Sequence, residues 1–243
     1  MRTLRTCLVL VPALVAATAC SSAHWGYTGA HGPEHWGDTY AMCRGTAQSP
    51  VDIRQTKTVA GGVPIAFDYR DSRLSVVNNG HTIQVDYDPG SAITVGGTRY
   101  ELLQFHFHRP GEERVQGRAY PLSAHLVHRA ADGTLAVVGV IFDEGAPQPM
   151  IDKIWAHLPM RAGQQRTVSN VRINAASLLP PDRSYYAYMG SLTTPPCSEG
   201  VRWHVLRTPV SVSAAQLRIF PFAMNARPVQ PLNDRVVEEV TPR

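Results

Sequence analysis

The chain has 243 residues, 44% of them hydrophobic and 17% charged, with a formal net charge of +4. That balance suits one globular domain with a sizeable core and excludes a disordered or repeat protein. Two of the positive charges, Arg2 and Arg5, belong to an N-terminal leader, so the remainder is too weakly basic to point to nucleic acid.

Arg2 and Arg5 precede the apolar run Cys7 to Ala17, and the small residues Ala17-Thr18-Ala19 close it, the order of a bacterial secretion signal over residues 1–19. The run has 11 residues, far short of the roughly 20 that a membrane-spanning helix needs. Cys20 stands where bacterial lipoproteins carry an acylated cysteine, although Ala17 replaces the usual leucine. The leader is expected either to end in a lipid on Cys20 or to be cleaved after Ala19 or Ala23. Residues 20–243 then form a single exported domain, periplasmic or on the membrane through that lipid. Cys43 and Cys197 are its remaining pair of cysteines, and an oxidising compartment predicts a disulfide between them.

Beyond the leader, short β-like runs outnumber helical patterns, and 19 Gly and 19 Pro are spread along the chain, which predicts a mostly β fold with a few short helices. Leu74 and Val76, then Asn79-Gly80, then Ile83, Val85 and Tyr87 read as two strands joined by a tight turn, since Asn-Gly tolerates positive φ. Further strands are expected over Tyr100 to His108, Ser123 to His128, Leu135 to Phe142 and Val201 to Leu206. Short helices are expected from Pro149 to Leu158 and from Ser213 to Phe220, the second with Ser213 as its N-cap.

Alternation along Gln104-Phe105-His106-Phe107-His108 puts Gln104, His106 and His108 on one face and both phenylalanines on the other. If the Ser123 to His128 strand lies alongside, His125 completes a set of three imidazoles and leaves a tetrahedral metal one open position. A lone histidine in an apolar strand is more often a satisfied core residue. Two imidazoles side by side and half buried disfavour each other's protonation and cost stability unless a metal holds them. Zinc suits neutral imidazoles and needs no redox partner; spacing alone leaves copper and iron open.

With these residues in hand, the chain from His24-Trp25-Gly26-Tyr27 to about Pro231 resembles the α-class carbonic anhydrases of the exported bacterial type. The resemblance rests on Gln48 to Ile53, Asn78-Asn79-Gly80-His81, Gln104 to His108, His125-Leu126-Val127-His128 and Ser191 to Pro196. It implies a central, largely antiparallel ten-stranded sheet with a conical cleft, and Zn2+ on His106, His108 and His125. The implied reaction is reversible hydration of carbon dioxide to bicarbonate, by a zinc-bound water whose pKa falls to about 7. Thr193 would orient the nucleophile while donating to an ionised Glu112, and His81 would carry the product proton. Val127, Val137, Leu192, Val201 and Trp203, with Thr194, would bind the apolar substrate; Tyr27, Asn79, Gln84 and Gln104 would line the cleft. Anions and sulfonamide-type inhibitors are expected at the zinc, and a homodimer is left open.

Two features strain the resemblance. Strict alternation sets His81 and Gln84 on opposite strand faces, so a bulge or a late strand start is required for both to reach the cleft. Family members usually carry Glu two residues before the third histidine, where it bonds that ligand's outer nitrogen; here the residue is Ser123. A short neutral partner predicts a looser His125 and faster zinc exchange, since changes behind metal ligands typically cost roughly 10- to 100-fold. Two rivals are weaker. A metal-dependent cupin would use Glu112 as a ligand but needs flanking glycines and a second histidine motif that the sequence lacks. A non-enzymatic binding module on the same fold would have lost a zinc histidine, and all three are present.

Overall fold

The computed structural model describes residues 24–242; the leader and Cys20 lie outside them. A large twisted sheet dominates, and ten of its strands follow one another edge to edge. In spatial order they are Gln164–Ile173, Ser72–Asn78, Ile83–Asp86, Thr98–His108, Leu122–Ala130, Leu135–Glu144, Glu199–Leu206, Tyr185–Ser191, Val237–Pro242 and Thr56–Gly62. All neighbours are antiparallel except Leu135–Glu144 with Glu199–Leu206 and Val237–Pro242 with Thr56–Gly62. A separate small sheet joins Asp52–Ile53, Arg114–Val115 and Arg118–Ala119 and carries the turn in front of Arg114. No helix among the described residues is long and apolar enough to cross a membrane.

The six expected strands all form, each with ends shifted by a few residues. The middle strands Leu122–Ala130 and Leu135–Glu144 are buried along most of their length, because both faces of the sheet are covered there. On one face Phe105, Phe107, Leu126, Val138 and Phe142 join the helices Pro149–Trp155 and Ala214–Ile219 in the larger core. Full burial of each such side chain contributes on the order of 2 kcal/mol. On the other face Val127, Val137, Ile141, Val201, Trp203 and Val205 form a second apolar cluster.

Both helices sit where expected but end earlier than the pattern implied. The first stops at Trp155, because Pro159 disfavours helical backbone at Leu158 before it. Ser213 caps the second in a capping box with Gln216, and Phe220 ends it in extended backbone and stacks on Trp155 at 5.6 Å.

The turn between Ser72–Asn78 and Ile83–Asp86 resolves the parity conflict. Asn79 Oδ1 accepts hydrogen bonds from the backbone N–H groups of His81 and Thr82, and Gly80 adopts φ +88°. The strand starts only at Ile83, so His81 stands in the turn and escapes the alternation that governs Gln84.

Candidate metal centre

Register brings the histidines together. Across the sheet Gln84 pairs with His106 and His106 with His125, while His108 pairs with Ser123. One ring nitrogen from each of His106, His108 and His125 lies within 4.8 Å of the others.

The other nitrogen of each ring has its own partner. His106 Nδ1–H donates to Gln104 Oε1 at 2.8 Å, His108 Nδ1–H to the Asn225 carbonyl at 2.7 Å, and His125 Nε2–H to Glu113 Oε1 at 2.6 Å. These bonds fix the tautomers and leave Nε2 of His106, Nε2 of His108 and Nδ1 of His125 with lone pairs. His108 Nε2 is buried with no hydrogen-bond partner, a cost that a metal ion would remove. Burial and the two neighbouring imidazoles hold His106 well below the usual histidine range, and burial with His125 lowers His108 to about 3. Burial would lower His125 as well, but Glu113 outweighs it and raises the ring's pKa, while His125 keeps Glu113 ionised. Three ring nitrogens converging on one point suit a zinc ion, whose charge would keep His125 Nδ1 free of a proton against the pull of Glu113.

Ser123 does not hold His125. Its hydroxyl accepts the Glu112 N–H at 3.2 Å, and the carboxylate that meets His125 belongs to Glu113, one residue further along the same turn. The expectation of a loosened ligand therefore loses its structural basis. Glu113 was missed because two adjacent acids before a short strand read as solvated loop, whereas both are fully buried.

Glu112 Oε1 accepts the Arg227 N–H at 2.7 Å and stands 3.4 Å from His108 Nδ1. Burial pushes its pKa up to about 7, against the pull of His125, the Arg227 N–H and the Thr193 hydroxyl. Thr193 is itself buried, on the loop that runs to Cys197. Cys43 and Cys197 form the expected disulfide, with Cα atoms 4.9 Å apart. Arg227 braces this region too: its guanidinium donates to Gln48 Oε1, Ser49 O and Cys43 O, and Gln48 Nε2 donates to Cys197 O.

A cleft opens over the histidines, lined by Trp25, Tyr27, Asn79, His81, Thr82, Gln84, Gln104, His106, His108 and Thr194. Every residue expected to line it is present. His81 lies flat on Trp25, ring centres 3.7 Å apart, and burial together with His24 lowers its pKa. Val127, Val137, Val201 and Trp203 share one apolar cluster against which Leu192 packs, and Trp203 turns its ring edge-on to His125 at 4.8 Å. Asn225, fully buried, went unnoticed in the sequence because its contacts come from distant segments. Its side chain donates to the carbonyls of His81 and Phe107 and accepts the Arg109 N–H.

Comparison with known proteins agrees with this geometry. The pattern of the eukaryotic-type carbonic anhydrase family matches residues 31–241. The chain belongs to this family. It is 43% identical to a carbonic anhydrase of a Nostoc species over 90% of this chain and 86% of that protein. With a carbonic anhydrase of Neisseria gonorrhoeae it shares 45% identity over 93% and 94% of the two chains. Among solved structures, the α-carbonic anhydrase of Thermovibrio ammonificans, in complex with the inhibitor sulfanilamide, superposes with a TM-score of 0.86 at 47% identity, covering 89% of this chain and 99% of that one. Carbonic anhydrases of this family hydrate carbon dioxide; this chain shares their fold and brings together three histidines in a group that suits a zinc site.

Proposed function

We propose that this protein catalyses the reversible hydration of carbon dioxide to bicarbonate and a proton at a zinc ion held by His106 Nε2, His108 Nε2 and His125 Nδ1. One observation carries the reading: three ring nitrogens converge, the opposite nitrogen of each ring is already bonded, and His108 Nε2 is buried without a partner. A zinc ion held there would supply Lewis acidity that lowers the pKa of water to about 7 and so would provide a nucleophile at neutral pH.

The chain's own groups then orient, receive and discharge. Glu112 has Oε1 committed to the Arg227 N–H, so Oε2 is left for the Thr193 hydroxyl proton. Donating that way turns the Thr193 lone pairs to the cleft, where they accept from an incoming O–H and set the direction of its oxygen. Carbon dioxide has no net dipole, and the wall of Val127, Val137, Leu192, Val201 and Trp203 offers an apolar seat beside His125, with Thr194 at its cleft side. The proton released in forming bicarbonate leaves through His81, whose ring borders the cleft. Its lowered pKa keeps the accepting, neutral form populated at physiological pH.

The sulfanilamide complex of the Thermovibrio ammonificans relative supports sulfonamide binding by this chain, and the three-histidine centre is the place we assign to it. Export also belongs to the proposal: the Cys43–Cys197 disulfide fits an oxidising compartment, and the leader read over residues 1–19, with or without a lipid on Cys20, would take the chain there.

The decisive experiment measures metal content and stopped-flow carbon dioxide hydration before and after chelation. About one zinc per chain, activity lost on removal and restored by zinc is the expected result. A hydration rate unchanged by complete metal removal would overturn the proposal.

A further inference from the structure

We infer that this chain has moved the acid behind its third histidine from the strand to the neighbouring turn, so that Glu113 is the residue that positions His125, with Ser123 making room for it. The inference rests on the proposed zinc site.

Position 123 lies two residues before His125 on the same face of the same strand, so a long acidic side chain there would run alongside the imidazole. Serine leaves that space open. The residue that reaches the outer nitrogen is Glu113, at 2.6 Å, and both partners are fully buried. A charge-assisted bond of that length in a dry interior is strong, and loss of either partner strands a buried polar group.

Three further observations show that the turn is built to deliver this carboxylate. Ser123 Oγ accepts the Glu112 N–H, so the serine pins the turn at the residue before Glu113. Gly111 lies against the strand: a Cβ there would meet the Leu122 carbonyl carbon and oxygen at 3.0 Å and Ser123 N at 3.2 Å, so the close approach depends on glycine. Gly139, paired with His125 on the next strand, faces the carboxylate: a Cβ there would lie in ordinary contact with Glu113 Oε1 at 3.6 Å and tight against Val205 Cγ2 at 3.3 Å, so a larger side chain would press on both. Ser123, Gly111 and Gly139 thus clear and shape the space that Glu113 fills.

The carboxylate orients the imidazole, holds the proton on Nε2 and makes Nδ1 a better donor to the metal. Its removal should therefore appear first in how long zinc stays bound.

The test compares zinc release to a chromophoric chelator, and thermal melting of the metal-free protein, for wild type, Glu113→Gln and the transposed double variant Glu113→Ser with Ser123→Glu. Glu113→Gln should release zinc roughly 10- to 100-fold faster while its metal-free form still melts cooperatively, and the transposed variant should return release toward the wild-type rate. A folded Glu113→Gln that releases zinc as slowly as wild type overturns the inference. If Glu113→Gln does not fold, the transposed variant decides alone: retention near wild type supports the inference, and rapid release overturns it. A wild type that holds no zinc is a different result, which removes the zinc reading itself.

Discussion

The three histidines at the floor of the cleft and His81 at its rim are the same residue type under opposite constraints. Each floor histidine has its outer nitrogen bonded, to an amide oxygen, a backbone carbonyl or a carboxylate. His81 is only partly buried, and its ring meets the flat face of Trp25. Its backbone is nonetheless fastened, through Asn79 on one side and Asn225 on the other. The contrast separates two demands on imidazole: a metal ligand must keep one tautomer and one direction, whereas a proton carrier must change its protonation state every turnover. The rings with a bonded outer nitrogen belong to the floor.

Changes at the floor should therefore cost more than changes at the rim. Thr193→Ala removes the hydroxyl between Glu112 and the cleft, and kcat/KM for hydration should fall about 100-fold with zinc content unchanged. A loss under threefold would show that the hydroxyl does not orient the reaction. His81→Ala should lower kcat by roughly tenfold or more in weak buffer, yet leave kcat/KM nearly intact and recover in concentrated imidazole buffer. In wild type the shuttle should keep working below the usual histidine pKa of about 6.5, because burial and His24 favour its neutral form. A rim variant without buffer rescue would break the division between floor and rim.

The mildest effect concerns stability. Burial depresses His108 and His128 to about 3 and His204 to about 4 in the folded protein. The unfolded chain takes up these protons first as pH falls through about 6.5, so the stabilising contribution is complete above that pH and is lost on the way down to the folded values. The melting temperature of the metal-free protein should drop between pH 7 and 5. A melting temperature flat across this range would contradict the depressed values.

Legibility in the sequence followed the same division between local and distant relations. The centre of the sheet was readable because Phe105 and Phe107 alternate with His106 and His108, a period that needs no knowledge of neighbours. The second helix was readable from Ser213 for the same reason. The edge strand Gln164–Ile173 was not, since its residues are mostly exposed and polar and its pairing with Ser72–Asn78 supplies what its composition does not. Nor was Tyr185–Ser191, whose run of tyrosines lacks a polar alternation. At the site, ligand identity could be read from spacing and family motifs. The support behind His125 could not, because it depends on how closely the Gly111–Glu113 turn lies against Leu122 and Ser123.

Asn225 has a consequence of another kind. Its backbone carbonyl holds His108, its side-chain amide holds the carbonyls of His81 and Phe107, and its Oδ1 takes the Arg109 N–H. His108 and the backbone of His81, the two ends of the proposed proton route, thus hang from one residue. Asn225 ties the strand that carries His108 to the turn that carries His81, so under the proposed proton route a change at this one residue would disturb both ends together.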